Sequence, residues 1–445
     1  MPERLAIIGG DAAGMSAASQ ARRRDPDLDV VAFERGPYTS YSACGIPYYL
    51  GRDFTDHERL IVRSPAEHRE RGIDVRVEHE VVGIDLDARR LTVRAHDTET
   101  TEPFDRLVIA TGAVAVAPPV PGADAVEPAR TVDAAQRFHA ALTRGGRHAV
   151  VIGAGYIGVE MAEALVKRGM QVTLVEMAGH VMAGTFDPDM ARHIQDGAEQ
   201  EGIQVRLEDP VEEIEHDADG RPIAVRTASA RLPADHVVLA TGVRPATRIA
   251  AEAGLQLGES GAIAVDDRQR CADGVYAAGD CVESWHRLLE KPVNVQLGTH
   301  ANKQGRIAGV NATGGDARFP GVLGTAVSRI CSREVARTGL SDAEAEAAGL
   351  DTVSVVEKAS TRAGYFPGAG PIWVKLVCER GSGRLLGGQI VGVEGAAKRV
   401  DVLATAIWTG MTVQEFELLD LGYAPPVAPV YDPLLVAASA AVRAL

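Results

Sequence analysis

The amino-acid sequence predicts an α/β protein with two Rossmann-like units and a separate C-terminal α+β domain. Two repeated patterns lead to this prediction. A strand, a glycine turn, a helix and a second strand follow one another twice, and a strand that ends in Ala-Thr-Gly also occurs twice. The length agrees, because 445 residues exceed one ordinary hydrophobic core and suit about two to four domains.

The first unit begins with a predicted strand at residues 5–8 and the turn at residues 9–14 (GGDAAG). An alanine-rich helix continues to about Arg24, and a second strand covers residues 29–34. Asp11 stands where dinucleotide-binding turns carry their middle glycine, which places a side chain near an approaching phosphate. Its carboxylate could instead cap the N-terminus of the following helix.

The second unit repeats this order with a strand at residues 149–152, the turn at residues 153–158 (GAGYIG), a helix to about Arg168 and a strand at residues 171–176. Backbone N–H groups and the positive end of the helix dipole converge at such a turn and bind pyrophosphate. Glu176 follows at about twenty residues, the spacing needed to meet a ribose 2′-OH. Together these features predict a dinucleotide site.

The repeated Ala-Thr-Gly strands, at residues 107–113 and 237–243, mark points where the chain passes from one unit to the other. We therefore expect the second unit to be inserted into the first. Strand-like alternation at residues 372–377 and a helix at residues 398–409 predict a separate α+β domain near the C-terminus. The expected division is 1–112 and 243–322 for the first unit, 113–242 for the second unit and 323–445 for the C-terminal domain.

The composition narrows the class of partner. A formal net charge of −15 without a Lys- or Arg-rich run disfavours nucleic acid, whose phosphates need a clustered basic surface. No stretch approaches about 18 uninterrupted apolar residues, so we expect no membrane span. The chain runs from Met1 into a strand without a signal-peptide pattern. We expect a cytoplasmic protein that acts on small molecules.

The cysteines include one candidate redox thiol. The five cysteines show no C-x-x-C pair and no metal-ligand spacing, so we expect reduced thiols and no metal site. Cys44 lies in the segment SYSACGIPYYL at residues 40–50, about ten residues after Glu34. The other four are expected to be small apolar core residues, namely Cys271, Cys281, Cys331 and Cys378.

A third signature completes a family pattern, because residues 274–280 (GVYAAGD) form a predicted strand that enters a glycine turn. The three signatures in this order resemble the pyridine nucleotide–disulfide oxidoreductases. The resemblance implies FAD on the first unit, with Asp280 at its ribitol, and NAD(P)H on the second unit. The expected cofactor contacts are Gly9, Gly10, Ala13, Gly14, Glu34, Arg35, Ala110, Thr111, Gly112, Gly153, Gly155, Tyr156, Ile157, Gly158, Glu176, Gly242, Gly279 and Asp280.

The preference between the two nicotinamide cofactors is predicted from Glu176. A carboxylate at this position would repel a 2′-phosphate, and no arginine follows within the next several residues. We therefore expect NADH to be preferred over NADPH.

The resemblance also implies a redox cycle with one cysteine. Family members with a redox dithiol carry a second cysteine about five residues after the first, where this chain has Tyr49. Cys44 would then form a mixed disulfide with a small thiol or be oxidised to sulfenic acid. The segment resembles coenzyme A–disulfide reductases and related NADH oxidases and peroxidases. A thiolate at Cys44 is expected to have a lowered pKa, from a helix that begins near Ser42.

Three departures from the resembled enzymes bear on the substrate. Ala12 occupies the place of a histidine that supports oxygen or peroxide chemistry, which argues against those two activities. Ala43 and Gly72 replace an asparagine and a lysine common in coenzyme A–disulfide reductases, which leaves another small-thiol disulfide open. Two alternatives also remain: an NAD(P)H oxidase or diaphorase in which Cys44 is structural, and a flavoprotein that senses NADH.

Further positions are expected at the active site from the same resemblance. Tyr365 and Tyr423 would reach the partner's cysteine across the interface of a homodimer, where a phenol O–H could supply a proton to a departing thiolate. With Cys44 they form the predicted catalytic set. The residues expected to bind the thiol substrate are Gln20, Arg23, Ser40, Arg71 and Lys303.

Overall fold

The computed structural model describes residues 3–445. The strands of the first half are β1 (Arg4–Ile8), β2 (Asp29–Glu34), β3 (Ile73–Val77), β4 (Glu80–Asp85), β5 (Arg90–Ala95), β6 (Thr98–Pro103), β7 (Arg106–Ile109), β8 (Ala113–Ala115), β9 (His148–Ile152), β10 (Gln171–Val175), β11 (Gln204–Arg206) and β12 (Val211–His216). The strands of the second half are β13 (Pro222–Thr227), β14 (Arg231–Pro233), β15 (His236–Leu239), β16 (Val243–Pro245), β17 (Arg270–Ala272), β18 (Val275–Ala277), β19 (Ser284–His286), β20 (Lys291–Val293), β21 (Ala326–Ile330), β22 (Arg333–Gly339), β23 (Thr352–Ser360), β24 (Pro371–Glu379) and β25 (Leu385–Gly392).

The helices lie between and after these strands. They are α1 (Ala12–Arg24), α2 (Ile46–Leu50), α3 (Pro65–Glu70), α4 (Val132–Thr143), α5 (Tyr156–Lys167), α6 (Pro188–Gln200), α7 (Arg248–Glu252), α8 (Gly298–Ala312), α9 (Asp342–Ala347), α10 (Val400–Thr409), α11 (Val413–Glu417) and α12 (Pro433–Ala444).

The first Rossmann-like unit is built on a six-stranded sheet with the order β17-β18-β7-β1-β2-β3. Its strands run parallel except for β17, which pairs antiparallel with β18. The βαβ pattern predicted from the sequence is confirmed by β1, α1 and β2. The sheet joins strands from two separated parts of the chain, because β17 and β18 follow β7 only after the strands and helices of the second unit.

Helix α8 lies directly against α1 because two glycines permit it. A Cβ atom at Gly305 would stand 2.1 Å from the carbonyl oxygen of Ala13, and one at Gly309 would stand 2.4 Å from that of Ala17. Side chains at these positions would force the helices apart. The close approach brings polar residues of α8 beside the first glycine turn.

The second Rossmann-like unit has a parallel four-stranded sheet with the order β11-β10-β9-β15. The predicted strand, turn, helix and strand are confirmed by β9, α5 and β10. An antiparallel pair, β8 with β16, links the two units, since both strands follow an Ala-Thr-Gly turn. Two antiparallel sheets, β4-β5-β6 and β12-β13-β14, complete the part of the chain that contains the two Rossmann-like units.

The C-terminal part is an antiparallel five-stranded sheet with the order β21-β22-β25-β24-β23. Helices α10, α11 and α12 cover it, and they share a buried core that includes Leu403, Phe416 and Leu434. The α+β prediction for this part is therefore confirmed. Within residues 3–445 no helix has the length and apolar character needed to cross a membrane, and no His, Cys, Asp and Glu cluster suits a metal ion.

Candidate active site

The first glycine turn connects β1 to α1 and is held by two close backbone contacts and by two hydrogen bonds to the Glu34 side chain. Gly9 has φ +107°, and a Cβ there would lie 2.2 Å from the carbonyl oxygen of Ala110. A Cβ at Gly14 would lie 1.9 Å from the carbonyl oxygen of Gly9. The Glu34 carboxylate accepts hydrogen bonds of 2.8 Å from the backbone N–H groups of Gly10 and Gly36. The turn is thus bound tightly to the end of β2, as a dinucleotide cradle requires.

Asp11 occupies the N-cap position of α1, but its side chain makes no capping hydrogen bond. Asp11 therefore has the expected N-cap position, but the expected hydrogen bond from its side chain to the start of α1 is absent. The carboxylate instead accepts a 3.2 Å hydrogen bond from the backbone N–H of Tyr41, since the 40–41 segment passes across the start of the helix. Burial raises the pKa of Asp11 to about 6, with Glu34 and Asp280 adding repulsion.

The second glycine turn has the same construction. A Cβ at Gly158 would lie 1.8 Å from the carbonyl oxygen of Gly153, whereas Gly155 has open space beside it. Glu176 accepts hydrogen bonds from the backbone N–H groups of Ala154 at 2.7 Å and Ala178 at 2.9 Å. The open side at Gly155 gives a pyrophosphate access to the backbone, so the residues present fit a dinucleotide.

The third signature, at residues 274–280, packs against the first glycine turn. Gly279 has φ +89°, and a Cβ there would stand 3.0 Å from the Cβ of Ala13. The Gly279 N–H donates to the buried amide oxygen of Gln304 on α8 at 2.9 Å. Asp280 lies 3.4 Å from the Arg130 guanidinium, whose Nη1 is buried and has no hydrogen-bond partner within residues 3–445. The Asp280 carboxylate and the Arg130 guanidinium are therefore available to contact a bound cofactor.

The remaining predicted cofactor positions surround the same two turns. Tyr156 begins α5 and has a buried hydroxyl without a hydrogen-bond partner in the described chain. The others are Arg35 after β2, Ala110, Thr111 and Gly112 after β7, Ile157 in the first turn of α5, and Gly242 after β15.

Cys44 lies in a short 3-10 turn at Ala43–Gly45, directly before α2. The helix expected to begin near Ser42 is a 3-10 turn over its first residues, and α-helical geometry starts only at Ile46. Pro47 has no N–H to donate to the carbonyl of Ala43, so an α-helix cannot run through this point, and proline is instead accepted in the first turn of α2.

The electrostatic surroundings of Cys44 also differ from the expectation. Its side chain is accessible to solvent, yet the surrounding protein removes enough water to raise the pKa of the thiol, and Glu160, Asp280 and Asp11 raise it further. The lowered pKa expected from a helix N-terminus is therefore wrong for the protein alone. The causes are first the burial of the thiol and then the negative charges of Glu160, Asp280 and Asp11.

Tyr49 stands where a second cysteine would be in a dithiol enzyme. Its ring is buried and stacks on His139 with the centroids 5.0 Å apart. Cys281 and Cys378 are buried, Cys271 and Cys331 are partly buried, and all five cysteines are free thiols. Cys44 is the exposed thiol among them.

A cavity of about 930 Å³ opens between α1, α8 and the chain before β3. Gln20, Arg23, Ser40 and Arg71 line it together, whereas Lys303 is not among its lining residues. Asp11 and Tyr41 also line the cavity, and Asp11 is close enough to Cys44 to raise its pKa. Four of the five residues predicted to bind the substrate thus line one cavity, and Asp11 in the same lining lies near Cys44.

The sequence did not reveal the whole basic lining of this cavity. Arg22, Arg63 and Arg306 join Arg23 and Arg71, so five guanidinium groups border one space. None of the five forms an ion pair within residues 3–445. Arg306 and its neighbour Asn302 could be found only from the α1–α8 packing, because α8 is distant from α1 in the chain.

Tyr365 and Tyr423 lie in the C-terminal part, where their side chains are 78% and 50% exposed. Neither is among the residues that line the basic cavity of the same chain. Exposed apolar side chains accompany them, including Leu418, Val430 and Tyr431.

Comparison with known protein families identifies both parts of the chain. A family model described as pyridine nucleotide-disulphide oxidoreductase matches residues 3–305. A second model, described as the dimerisation domain of these oxidoreductases, matches residues 325–433.

Individual relatives are similar over nearly the whole length. A CoA-dependent NAD(P)H sulfur oxidoreductase of Pyrococcus abyssi is 38% identical over 98% of this chain and 97% of its own. An NADH oxidase of Methanocaldococcus jannaschii is 36% identical over 99% of both chains. A solved NAD-dependent persulfide reductase from A. fulgidus superposes with a TM-score of 0.96 at 38% identity, over 99% of this chain and 83% of that one.

Proposed function

Because this chain belongs to the pyridine nucleotide-disulphide oxidoreductase family, we propose that it uses NAD(P)H and FAD to reduce a disulfide or persulfide of a small thiol that carries phosphate groups. Cys44 is the single redox thiol in this proposal. Coenzyme A is the chemical type of thiol that meets these requirements.

The basic cavity carries the proposal. Five guanidinium groups without carboxylate partners border a space of about 930 Å³. Arginine recognises phosphate through paired N–H donors, and such charge-assisted hydrogen bonds are stronger than neutral ones. A thiol without anionic groups would leave these positive charges without a counterion. The relatives named for coenzyme A and for persulfide reduction support the same class of substrate.

The reaction needs one sulfur nucleophile. NADH, a proton and a disulfide RSSR give NAD⁺ and two RSH molecules. The Cys44 thiolate attacks one substrate sulfur, the S–S bond breaks, and the first RSH leaves with a proton. FAD, when bound, supplies the transfer of two electrons from the nicotinamide to the mixed disulfide. Cys44 then holds the regenerated thiolate, and the second RSH is released.

The proposal has three further parts, which concern the preferred cofactor, the homodimer and the domain boundaries. Glu176 selects NADH by repelling a 2′-phosphate. Two chains form a homodimer through the C-terminal part, in which Tyr365 and Tyr423 of one chain approach Cys44 of the other and donate a proton to the leaving thiolate. The chain divides into domains at residues 1–112, 113–242, 243–322 and 323–445.

The proposal is tested by anaerobic NADH oxidation with coenzyme A disulfide, glutathione disulfide and cystamine. Arg63→Gln should raise the KM for coenzyme A disulfide about tenfold and leave that for cystamine unchanged, because only the first carries phosphate. Arg221→Gln is the matched control, since it removes an exposed guanidinium outside the cavity, and should change neither KM.

An NADH oxidase is the competing function, because some relatives carry that name. Ala12 counts against it by the resemblance described above. Turnover of wild-type protein with oxygen that exceeds turnover with every disulfide would favour the oxidase and overturn the proposal.

A further inference from the structure

Ser40 is fixed in an unusual backbone conformation at the wall of the basic cavity. Its φ of +47° lies in the left-handed region that residues other than glycine seldom adopt. Its N–H donates to the carbonyl of Gly10 at 2.9 Å, and its carbonyl accepts from the N–H of Val62 at 2.8 Å. The backbone is thus held on both sides, and the hydroxyl is the one group of Ser40 left to contact a ligand.

His68 lies behind Ser40 and outside the set of residues that line the cavity. Its side chain is 0% exposed, and its Nε2 lies 2.9 Å from Ser40 Oγ. The ring is carried by α3, whose first turn is fixed by a reciprocal pair of hydrogen bonds between Ser64 and Glu67. Nδ1 of the same ring has no hydrogen-bond partner within residues 3–445.

The His68 ring is neutral at physiological pH. Burial lowers its pKa to about 4, and the cations Arg63 and Arg71 lower it further against a smaller opposite effect of Glu67. A neutral imidazole carries one N–H, which is on either Nδ1 or Nε2.

The two tautomers differ in whether the Ser40 hydroxyl can donate its proton to a ligand in the cavity. A proton on Nδ1 would be a buried donor without an acceptor, near two guanidinium cations, and Ser40 would then have to donate its only proton to Nε2. A proton on Nε2 is donated to Ser40 Oγ, and a lone pair faces the positive potential at Nδ1. The tautomer with the proton on Nε2 is therefore lower in free energy, and it leaves the Ser40 hydroxyl proton free to be donated to a ligand.

We propose that His68 is a positioning residue whose Nε2–H holds Ser40 Oγ, so that the Ser40 hydroxyl donates its proton to an anionic oxygen of the thiol substrate in the cavity. This inference rests on the proposed function and adds a specificity element to it. The hydroxyl would then join the arginines as a donor, with a direction set by a residue that itself never contacts substrate.

Binding of reduced coenzyme A to the oxidised holoenzyme tests this inference without requiring turnover. Ser40→Ala should weaken binding about tenfold, because a hydrogen bond to a charged acceptor is lost. His68→Leu should weaken it to a similar degree, and the double variant should bind no more weakly than Ser40→Ala alone. His68→Gln should bind within about twofold of wild type, since its amide N–H can replace Nε2–H.

The result that overturns the inference is unchanged binding by His68→Leu while Ser40→Ala is impaired, or losses that multiply in the double variant. If His68→Leu fails to retain FAD, His68→Asn replaces it, because its shorter amide does not reach Ser40. Wild-type protein that binds coenzyme A without reducing its disulfide refutes the proposed function and leaves the variants informative. No binding by wild type overturns the positioning role.

Discussion

At the scale of single residues, Asp11 gives the first glycine turn a charge that depends on pH. Its pKa is raised to about 6 by burial and by two neighbouring carboxylates. The carboxyl is therefore ionised at pH 8 and mostly protonated at pH 5. An ionised Asp11 would repel the pyrophosphate of FAD. Because burial raises the pKa of Asp11 from 3.8 to about 6, the free energy of unfolding also falls as the pH rises through this range.

We predict that Asp11→Asn binds FAD about tenfold more tightly than wild type at pH 8 and equally tightly at pH 5. Asparagine keeps an oxygen that can accept the hydrogen bond from Tyr41. Equilibrium dialysis of FAD at the two pH values measures the difference. An equal gain at both pH values would contradict the assigned charge effect.

Glu176 leads to a second prediction at this scale. Its carboxylate holds two backbone N–H groups at the edge of the second turn. Glu176→Ser should lower kcat/KM for NADH by about tenfold and raise that for NADPH, because the repulsion of a 2′-phosphate is removed. Steady-state rates with both cofactors test it. Wild-type protein that is at least about tenfold more efficient with NADPH would refute the preference itself.

The residues of the two turns could be predicted from the sequence because glycine spacing and a carboxylate after the second strand are local signals. The surroundings of Cys44 could not. Its pKa is raised first by burial and then by Glu160 and Asp280, which are distant from it in the chain and approach it only in the folded protein. Local sequence indicated a helix that begins near Ser42, and the structure has a 3-10 turn there followed by the short helix α2.

At the scale of elements, Lys375 of β24 connects the C-terminal sheet to the second Rossmann-like unit. Its side chain is 2% exposed and lies within 3.1 Å of Asp187, 2.9 Å of Asp189 and 2.6 Å of Asp342. Two of these aspartates stand at the start of α6, and the third begins α9. The lysine therefore holds three elements together.

We predict that Lys375→Met lowers the free energy of unfolding by about 3–5 kcal/mol, because the buried Asp187 loses its counterion, as do the partly exposed Asp189 and Asp342. Lys398→Met is the matched control. Lys398 pairs with Asp401 on the surface, so its loss should cost about 0.5 kcal/mol or less. Thermal unfolding at saturating FAD compares the two, and an equal effect of both changes would contradict the account.

The sequence predicted β24 itself but not this role. Residues 372–377 read as an alternating strand, in which a lysine is expected to face solvent. In the structure Ile372, Val374, Lys375, Leu376 and Val377 are all buried, since one face meets the covering helices and the other meets α6. Helix α6 belongs to the second Rossmann-like unit and is distant from β24 in the chain, so no local pattern could indicate this contact.

At the scale of the whole molecule, the proposed active site requires two chains. The basic cavity and Cys44 lie in the first Rossmann-like unit, whereas Tyr365 and Tyr423 are exposed on the C-terminal part. We predict that Tyr423→Phe homodimers are impaired, and that mixing them with Cys44→Ser protomers recovers activity, because each mixed dimer has one site with both wild-type residues.

The mixing experiment has a clear negative outcome. If Tyr423→Phe is impaired and mixed dimers show no activity above the two parents, the tyrosine does not act across the interface. Native mass spectrometry confirms that mixed dimers have formed.

The central claim, that one thiol carries the chemistry, is tested most directly by Cys44→Ser. FAD contacts are expected at Gly9, Glu34 and Asp280 rather than at the thiol, so the variant should bind FAD, and NADH should bleach it in stopped flow at the wild-type rate. Disulfide turnover should fall by at least about a thousandfold, because a serine hydroxyl stays protonated and forms no disulfide. Turnover within a few-fold of wild type would contradict the account and make Cys44 structural.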